Sequence, residues 1–139
     1  MKKLIALFTI ILILAGCSST KKTSDFSNNK IIFGYGGGFT GGQTTYALDY
    51  SGNIFKENSI TGASSFITKL RRKETKKIYR KFLQLGLDSL DFNQPGNLSK
   101  FIGFKSQDKI HKIIWSDESK VPENVKEFYD MLIQKVSNN

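Results

Sequence analysis

Hydrophobic residues set the first division of the chain. Leu4 to Leu14 is an apolar run broken only by Thr9 and preceded by Lys2 and Lys3. At about 11 residues it falls well short of the ~20 that a helix needs to cross a bilayer core, so it fits a cleaved leader better than a permanent span. The alternative, an uncleaved membrane helix, gives no purpose to the small residues at its end. Ser18 to Asn29 is small and polar with one aromatic and has no period. It reads as a flexible tether, with an average reach of about 20 Å at ~5–6 Å per square root of residue number.

Strand patterns begin at Lys30. Ile31, Ile32, Phe33 and Tyr35 supply β-branched and aromatic side chains over Lys30 to Tyr35. The stretch from Gly36 to Gly42 then holds five of the chain's twelve glycines and interrupts any regular element. Gln43 to Tyr50 alternates, with Thr44, Tyr46, Leu48 and Tyr50 on one face and Thr45, Ala47 and Asp49 on the other. Ser51-Gly52-Asn53 is a turn, and Ile54 to Asn58 returns as a hairpin strand. From Ser59 to Arg72 the pattern is ambiguous. Gly62 and the serine pair suggest a loop, whereas Phe66, Ile67 and Leu70 require burial.

The period becomes helical at Lys73. Ile78, Tyr79, Phe82 and Leu83 form one apolar face, and Gly86 is a natural stop. Leu87, Leu90 and Phe92 are expected to pack beneath the connection to the turn Pro95-Gly96-Asn97. Lys100 to Lys105 and Lys109 to Ser116 make a second hairpin through Ser106-Gln107-Asp108. Pro122 is expected at the first position of a closing helix whose stripe is Val125, Phe128, Tyr129, Leu132, Ile133 and Val136. The order β-β-β-α-β-β-α gives an α+β sandwich, an antiparallel sheet of about five strands with one half-buried face under two helices.

The apolar leader ends in Leu14-Ala15-Gly16-Cys17, two small residues before the sole cysteine. This ending, with the lysines in front, resembles the signal of bacterial lipoproteins over the first seventeen or so residues and fills every position of that motif. The resemblance implies that Leu14, Ala15 and Gly16 are read by the processing machinery and that the leader is cut before Cys17. It also implies that the Cys17 thiol receives a diacylglyceryl group and the freed amine a further acyl chain. Two or three chains hold where one is marginal, at about 0.8 kcal/mol per buried methylene. The expected organisation is a signal peptide over 1–16, an acylated cysteine and tether over 17–29, and a single α+β domain over 30–139. Its place is the periplasmic or cell-surface face of a bacterial envelope. Ser18 and Ser19 differ from the aspartate signal of inner-membrane retention, which favours the outer membrane.

Composition narrows the function. About 110 residues remain for one small core. With Cys17 acylated, the body folds without disulfides and has no thiol for catalysis or metal. Of 21 basic residues two lie in the leader, leaving 19 against 12 acidic ones. Such a body is drawn to anionic lipid, an anionic polymer or an acidic envelope protein, more weakly as salt rises. Export argues against nucleic acid. Eight of the positive charges fall between Lys69 and Lys81. On the helix, Lys73, Lys76, Lys77, Arg80 and Lys81 lie mostly off the Ile78/Phe82 face, as a contact for an anionic surface or as an ordinary solvated face.

The glycine stretch lacks the lysine of a phosphate-binding loop and opens a strand rather than a helix. Gly37, Gly38, Phe39, Thr40 and Gly41 instead offer backbone N–H groups and one aromatic at the tip of a hairpin, a candidate partner contact. The alternative is a wide connection with Phe39 folded back as a plug. The run from Ile31 through Gly37-Gly38-Phe39-Thr40-Gly41 into a strand, with a later Pro122-led helix, is similar to the ordering in emfourin-type inhibitors of thermolysin-like metalloproteases. It is also similar to small bacterial lipoproteins with a Gly-Gly-Phe-Thr-Gly hairpin and a Trp, Pro, then helix ending, here Trp115 and Pro122. The first resemblance implies an inhibitory contact through those five residues.

Catalysis has little footing. His111 sits in a strand with Ile113 and Trp115 on its side, no Gly-x-Ser-x-Gly elbow exists, and one histidine does not make a metal site. Asp49-x-Ser51-x-Asn53 only echoes a calcium loop. The pairs Asp88/Asp91 and Asp117/Glu118 flank turns or helix starts, where acids are routine. The expectation is a binding module without enzymatic activity, metal or cofactor; the alternative is a metalloprotease inhibitor.

Overall fold

The computed structural model describes residues 29–38, 41–107 and 109–138. They form one sheet of seven strands, β1 (Lys30–Gly37), β2 (Gln43–Asp49), β3 (Asn53–Asn58), β4 (Ser64–Lys69), β5 (Asn93–Gln94), β6 (Leu98–Lys105) and β7 (Ile110–Trp115). Two helices, α1 (Arg72–Gln84) and α2 (Glu123–Ser137), complete the fold. The spatial order is β4-β3-β2-β1-β6-β7-β5. β1 is therefore central, with antiparallel ladders to β2 on one side and β6 on the other.

Seven strands replace the five expected, and each addition has a local cause. β4 occupies the ambiguous stretch and is an edge strand. Ser64, Ser65 and Phe66 are exposed, so no apolar alternation marks it, and a register irregularity at Ile54/Phe55 interrupts its pairing with β3. β5 is two residues long and pairs in parallel with β7, bringing Asn93 opposite Ile114 and Gln94 opposite Trp115. So short a strand leaves no period to read.

α1 crosses the strands at the end where β1 begins. The Thr75 hydroxyl lies against Gly52, and the Tyr79 hydroxyl donates to Leu48 O at 2.8 Å, with Asn29 O 3.1 Å away. The Phe82 ring lies tilted against that of Phe104, centroids 5.9 Å apart. α2 runs antiparallel beside it. Phe128 meets Phe82 at 6.5 Å, Lys135 pairs with Glu74, and Tyr129 donates its hydroxyl to Gly34 O at 2.9 Å. Leu48 faces Ile31 across the ladder, so Tyr79 fastens α1 to β2 beside the start of β1 while Tyr129 fastens α2 to β1 about three residues, or roughly 10 Å, further along.

The core lies between helices and sheet, with Trp115, Phe33, Phe82 and Leu132 fully buried. Two details depart from expectation. Leu83 is 45% exposed, and Thr75, one turn before Ile78, takes the buried place instead. Pro122 immediately precedes α2, which starts at Glu123. The sheet also buries side chains on the face away from the helices, where Ile32, Ala47 and Phe101 are each under 4% exposed. The Phe101 ring lies over Gly34, where a Cβ would come within 2.9 Å of it, and Lys112 Nζ stands 4.6 Å above the ring centre. Burial, with Lys105 adding repulsion, lowers the Lys112 pKa from its ordinary value.

Burial raises both tyrosine hydroxyls well above their ordinary value of 10.0. The folded state holds them neutral, so between pH 10 and their raised pKa values it binds more protons than the unfolded chain. Their contribution is complete below about pH 10 and falls as pH rises above it. The double variant Tyr79→Phe with Tyr129→Phe is expected to lose about 1 kcal/mol per hydrogen bond at pH 8. It should then show a flatter decline than the parent up to pH 11.5, measured by urea unfolding across that range.

Candidate functional site

Two ends of the sheet carry the residues singled out in the sequence, and the structure does not bring them together. At one end the glycine stretch joins β1 to β2. Gly37 N–H donates to Gly42 O at 3.1 Å and Gly41 N–H to Gly38 O at 3.1 Å. Gly37 and Gly38 have φ of 114° and 77°, values that strain other residues, and Gly38 N–H donates to Asn97 O. A Cβ at Gly37 would fall 2.2 Å from that same oxygen. The hairpin is thus fastened to the connection between β5 and β6. Phe39 and Thr40 lie outside the described residues.

Sequence reasoning missed the neighbours of this hairpin. Leu98 follows Asn97 and is 71% exposed, beside Gly38. The β3–β4 connection joins them where Ser59 Oγ accepts from Gln43 N–H at 3.0 Å, and its Ile60 is 74% exposed. Exposed Tyr35 lies at the same end. The turn Pro95-Gly96-Asn97 followed directly by an apolar residue was the available signal for Leu98. Two connections, β3–β4 and β5–β6, thus meet around one hairpin.

At the other end, the basic residues of α1 divide between two faces. Lys77 and Lys81 line a cavity of about 420 Å³ between the helices, floored by Ile78, Phe128 and Met131 and flanked by Glu74 and Glu127. Lys76 and Arg80 face the opposite way, into a cavity of about 390 Å³ shared with Tyr50, Tyr79 and Leu83. Tyr50 sets its ring edge-on to Tyr79 at 5.1 Å. Lys73 is exposed and lines neither cavity.

The remaining candidate groups have local partners. His111 Nε2 lies 2.9 Å from Leu90 O, a contact that puts the ring proton on that nitrogen. Asp49 accepts from Asn53 N–H at 2.9 Å and Asn53 Nδ2 at 2.8 Å, closing the β2–β3 turn. Asp117 accepts from Ser119 Oγ at 2.7 Å and Ser119 N–H at 3.0 Å, which lowers its pKa. Glu118 pairs with Lys100 at 2.6 Å. Asp88 and Asp91 are both exposed. Leu14, Ala15, Gly16 and Cys17 lie outside the described residues, and among the described residues no helix is long and apolar enough to cross a membrane.

Residues 1–18 match the family described as prokaryotic membrane lipoprotein lipid attachment site, a stretch that contains Cys17. No curated protein matches the chain. The attachment site supports a lipid-anchored lipoprotein of a bacterial envelope, held to the membrane by its acyl chains.

Proposed function

We propose that the protein is a non-catalytic binding module, tethered through Cys17 and turning its glycine-hairpin end toward another envelope protein. The observation that carries this reading is the direction of β1. Its first residue follows the tether and its last opens the hairpin, so eight residues at ~3.3 Å each separate the two by about 25 Å. That end gathers exposed Leu98, Ile60 and Tyr35 around a backbone fastened by Asn97. The engagement of His111 by Leu90, and of Asp49 and Asp117 in turns, favours binding over chemistry. We assign the outer membrane, because Ser18 and Ser19 take the place of a retention aspartate; sucrose-gradient fractionation tests that assignment.

A photocrosslinking residue at Leu98 is expected to capture a specific envelope protein in intact cells, while one at exposed Lys73 does not. Phe39→Ala should reduce the Leu98 product at least tenfold. Equal capture at both positions would remove the reading, and capture of polysaccharide alone would replace the protein with an anionic polymer. The same hairpin serves the inhibitor alternative, since a glycine-rich tip with one aromatic suits entry into a protease cleft. Detergent-solubilised protein titrated against a thermolysin-like enzyme then inhibits at micromolar concentration and loses that effect with Phe39→Ala; no inhibition in that range rejects the alternative.

A further inference from the structure

We propose that the end of the domain where the tether joins β1 docks on the bilayer, and that the pocket of Tyr50, Lys76, Tyr79, Arg80 and Leu83 receives the phosphate headgroup of an anionic phospholipid. The first support is position. The Tyr79 hydroxyl lies 3.1 Å from Asn29 O, so the chain leading from Cys17 enters the domain beside this pocket. As the flexible tether that its composition suggests, the twelve-residue stretch from Ser18 to Asn29 would reach about 20 Å on average, less than the length of β1. The pocket end is therefore the one kept against the membrane, at high effective concentration.

The second support is chemistry. Lys76, Tyr79, Arg80 and Leu83 recur at i, i+3, i+4 and i+7 and form one stripe of α1. Among the described residues neither Lys76 nor Arg80 forms an ion pair, whereas Glu74 in the cleft on the other side of α1 is paired with Lys135. Leu83 and Tyr50 are 45% and 40% exposed beside these cations. An aliphatic side chain and an aromatic flanked by basic groups match the boundary between headgroups and acyl chains. Lys30 and Lys105, opposite each other across the β1–β6 ladder, add positive charge at the same end. A soluble anion would use the cations but leave Leu83 without a role.

The test uses the full acylated protein in phosphatidylcholine vesicles with and without phosphatidylglycerol. A nitroxide on Leu83→Cys or on Leu98→Cys occupies the only free thiol, because Cys17 is acylated, and both parent side chains are exposed. With phosphatidylglycerol the Leu83 label is expected to become accessible to lipid-soluble oxygen and shielded from an aqueous nickel chelate, while the Leu98 label stays in water. Neutralising Lys76 and Arg80 together to Gln should lower the docked-to-free ratio roughly 25-fold, at about fivefold per basic side chain near the surface. The same change at Lys77 and Lys81 should lower it less than about fivefold, because those side chains face the inter-helix cleft. Equal water exposure of the two labels overturns the proposal, as does an equal response of the two double variants when their thermal melts match the parent. Protection of the Leu83 label by millimolar inorganic phosphate in phosphatidylcholine vesicles, with no further change on adding phosphatidylglycerol, also overturns it, by identifying a site for free anion rather than a bilayer.

Discussion

Cys17→Ser is expected to abolish incorporation of labelled palmitate and to release the protein from acyl-mediated membrane attachment. The magnitude follows from the chains themselves. Each buried methylene of an acyl chain contributes about 0.8 kcal/mol, one chain alone holds only marginally, and a second or third converts that into stable anchoring. Serine keeps the size and loses the nucleophilic sulfur, so nothing in the chain replaces it; the sequence has no other cysteine. The variant would also keep its leader, whose apolar run of about 11 residues is too short to anchor as a spanning helix. Metabolic labelling followed by immunoprecipitation measures the first effect, and gel mobility measures the retained leader. Labelling of the variant as strong as that of the parent would contradict the attachment site.

Phe82→Ala is expected to destabilise the fold by about 3–5 kcal/mol, the range for removing a fully buried phenylalanine. Phe82 is 0% exposed and stands where three elements meet, with the Phe104 ring of β6 at 5.9 Å and the Phe128 ring of α2 at 6.5 Å. Removing it leaves a cavity where α1, α2 and β6 meet. Leu83→Ala, one residue further on, should cost under about 1 kcal/mol because the side chain is half in solvent already. Urea unfolding of both variants checks the pair. Similar losses would mean that α1 is rotated from the orientation described.

The contrast between Phe82 and Leu83 also shows where the sequence was legible. A 3.6-residue period locates α1 and α2 well, because a helix laid on a core is what places large apolar residues in a stripe against a polar background. It resolves the edge of that stripe poorly. Ile78, Tyr79 and Phe82 are buried as expected, but the place assigned to Leu83 belongs to Thr75, whose hydroxyl donates to the O of Arg71, the residue just before α1, and so tolerates burial. Strand β4 was illegible for a related reason. An edge strand with exposed serines has no buried face to impose alternation. β5 depends wholly on its neighbour β7, and nothing local marks two residues that pair in parallel. The residues around the glycine hairpin were visible only in part, since Asn97, Leu98 and Ser59 reach it through sheet order rather than through any spacing along the chain.

The central position of β1 has a mechanical consequence. Force transmitted from the acyl anchor enters at Lys30 and, for a partner held at the hairpin, leaves at Gly37, along the axis of a single strand. With ladders to β2 and β6 on its two sides, that strand is loaded in shear, so its cross-strand bonds resist together rather than parting one after another. Tension between the membrane and such a partner would therefore pass along the middle of the sheet and spare its outer strands.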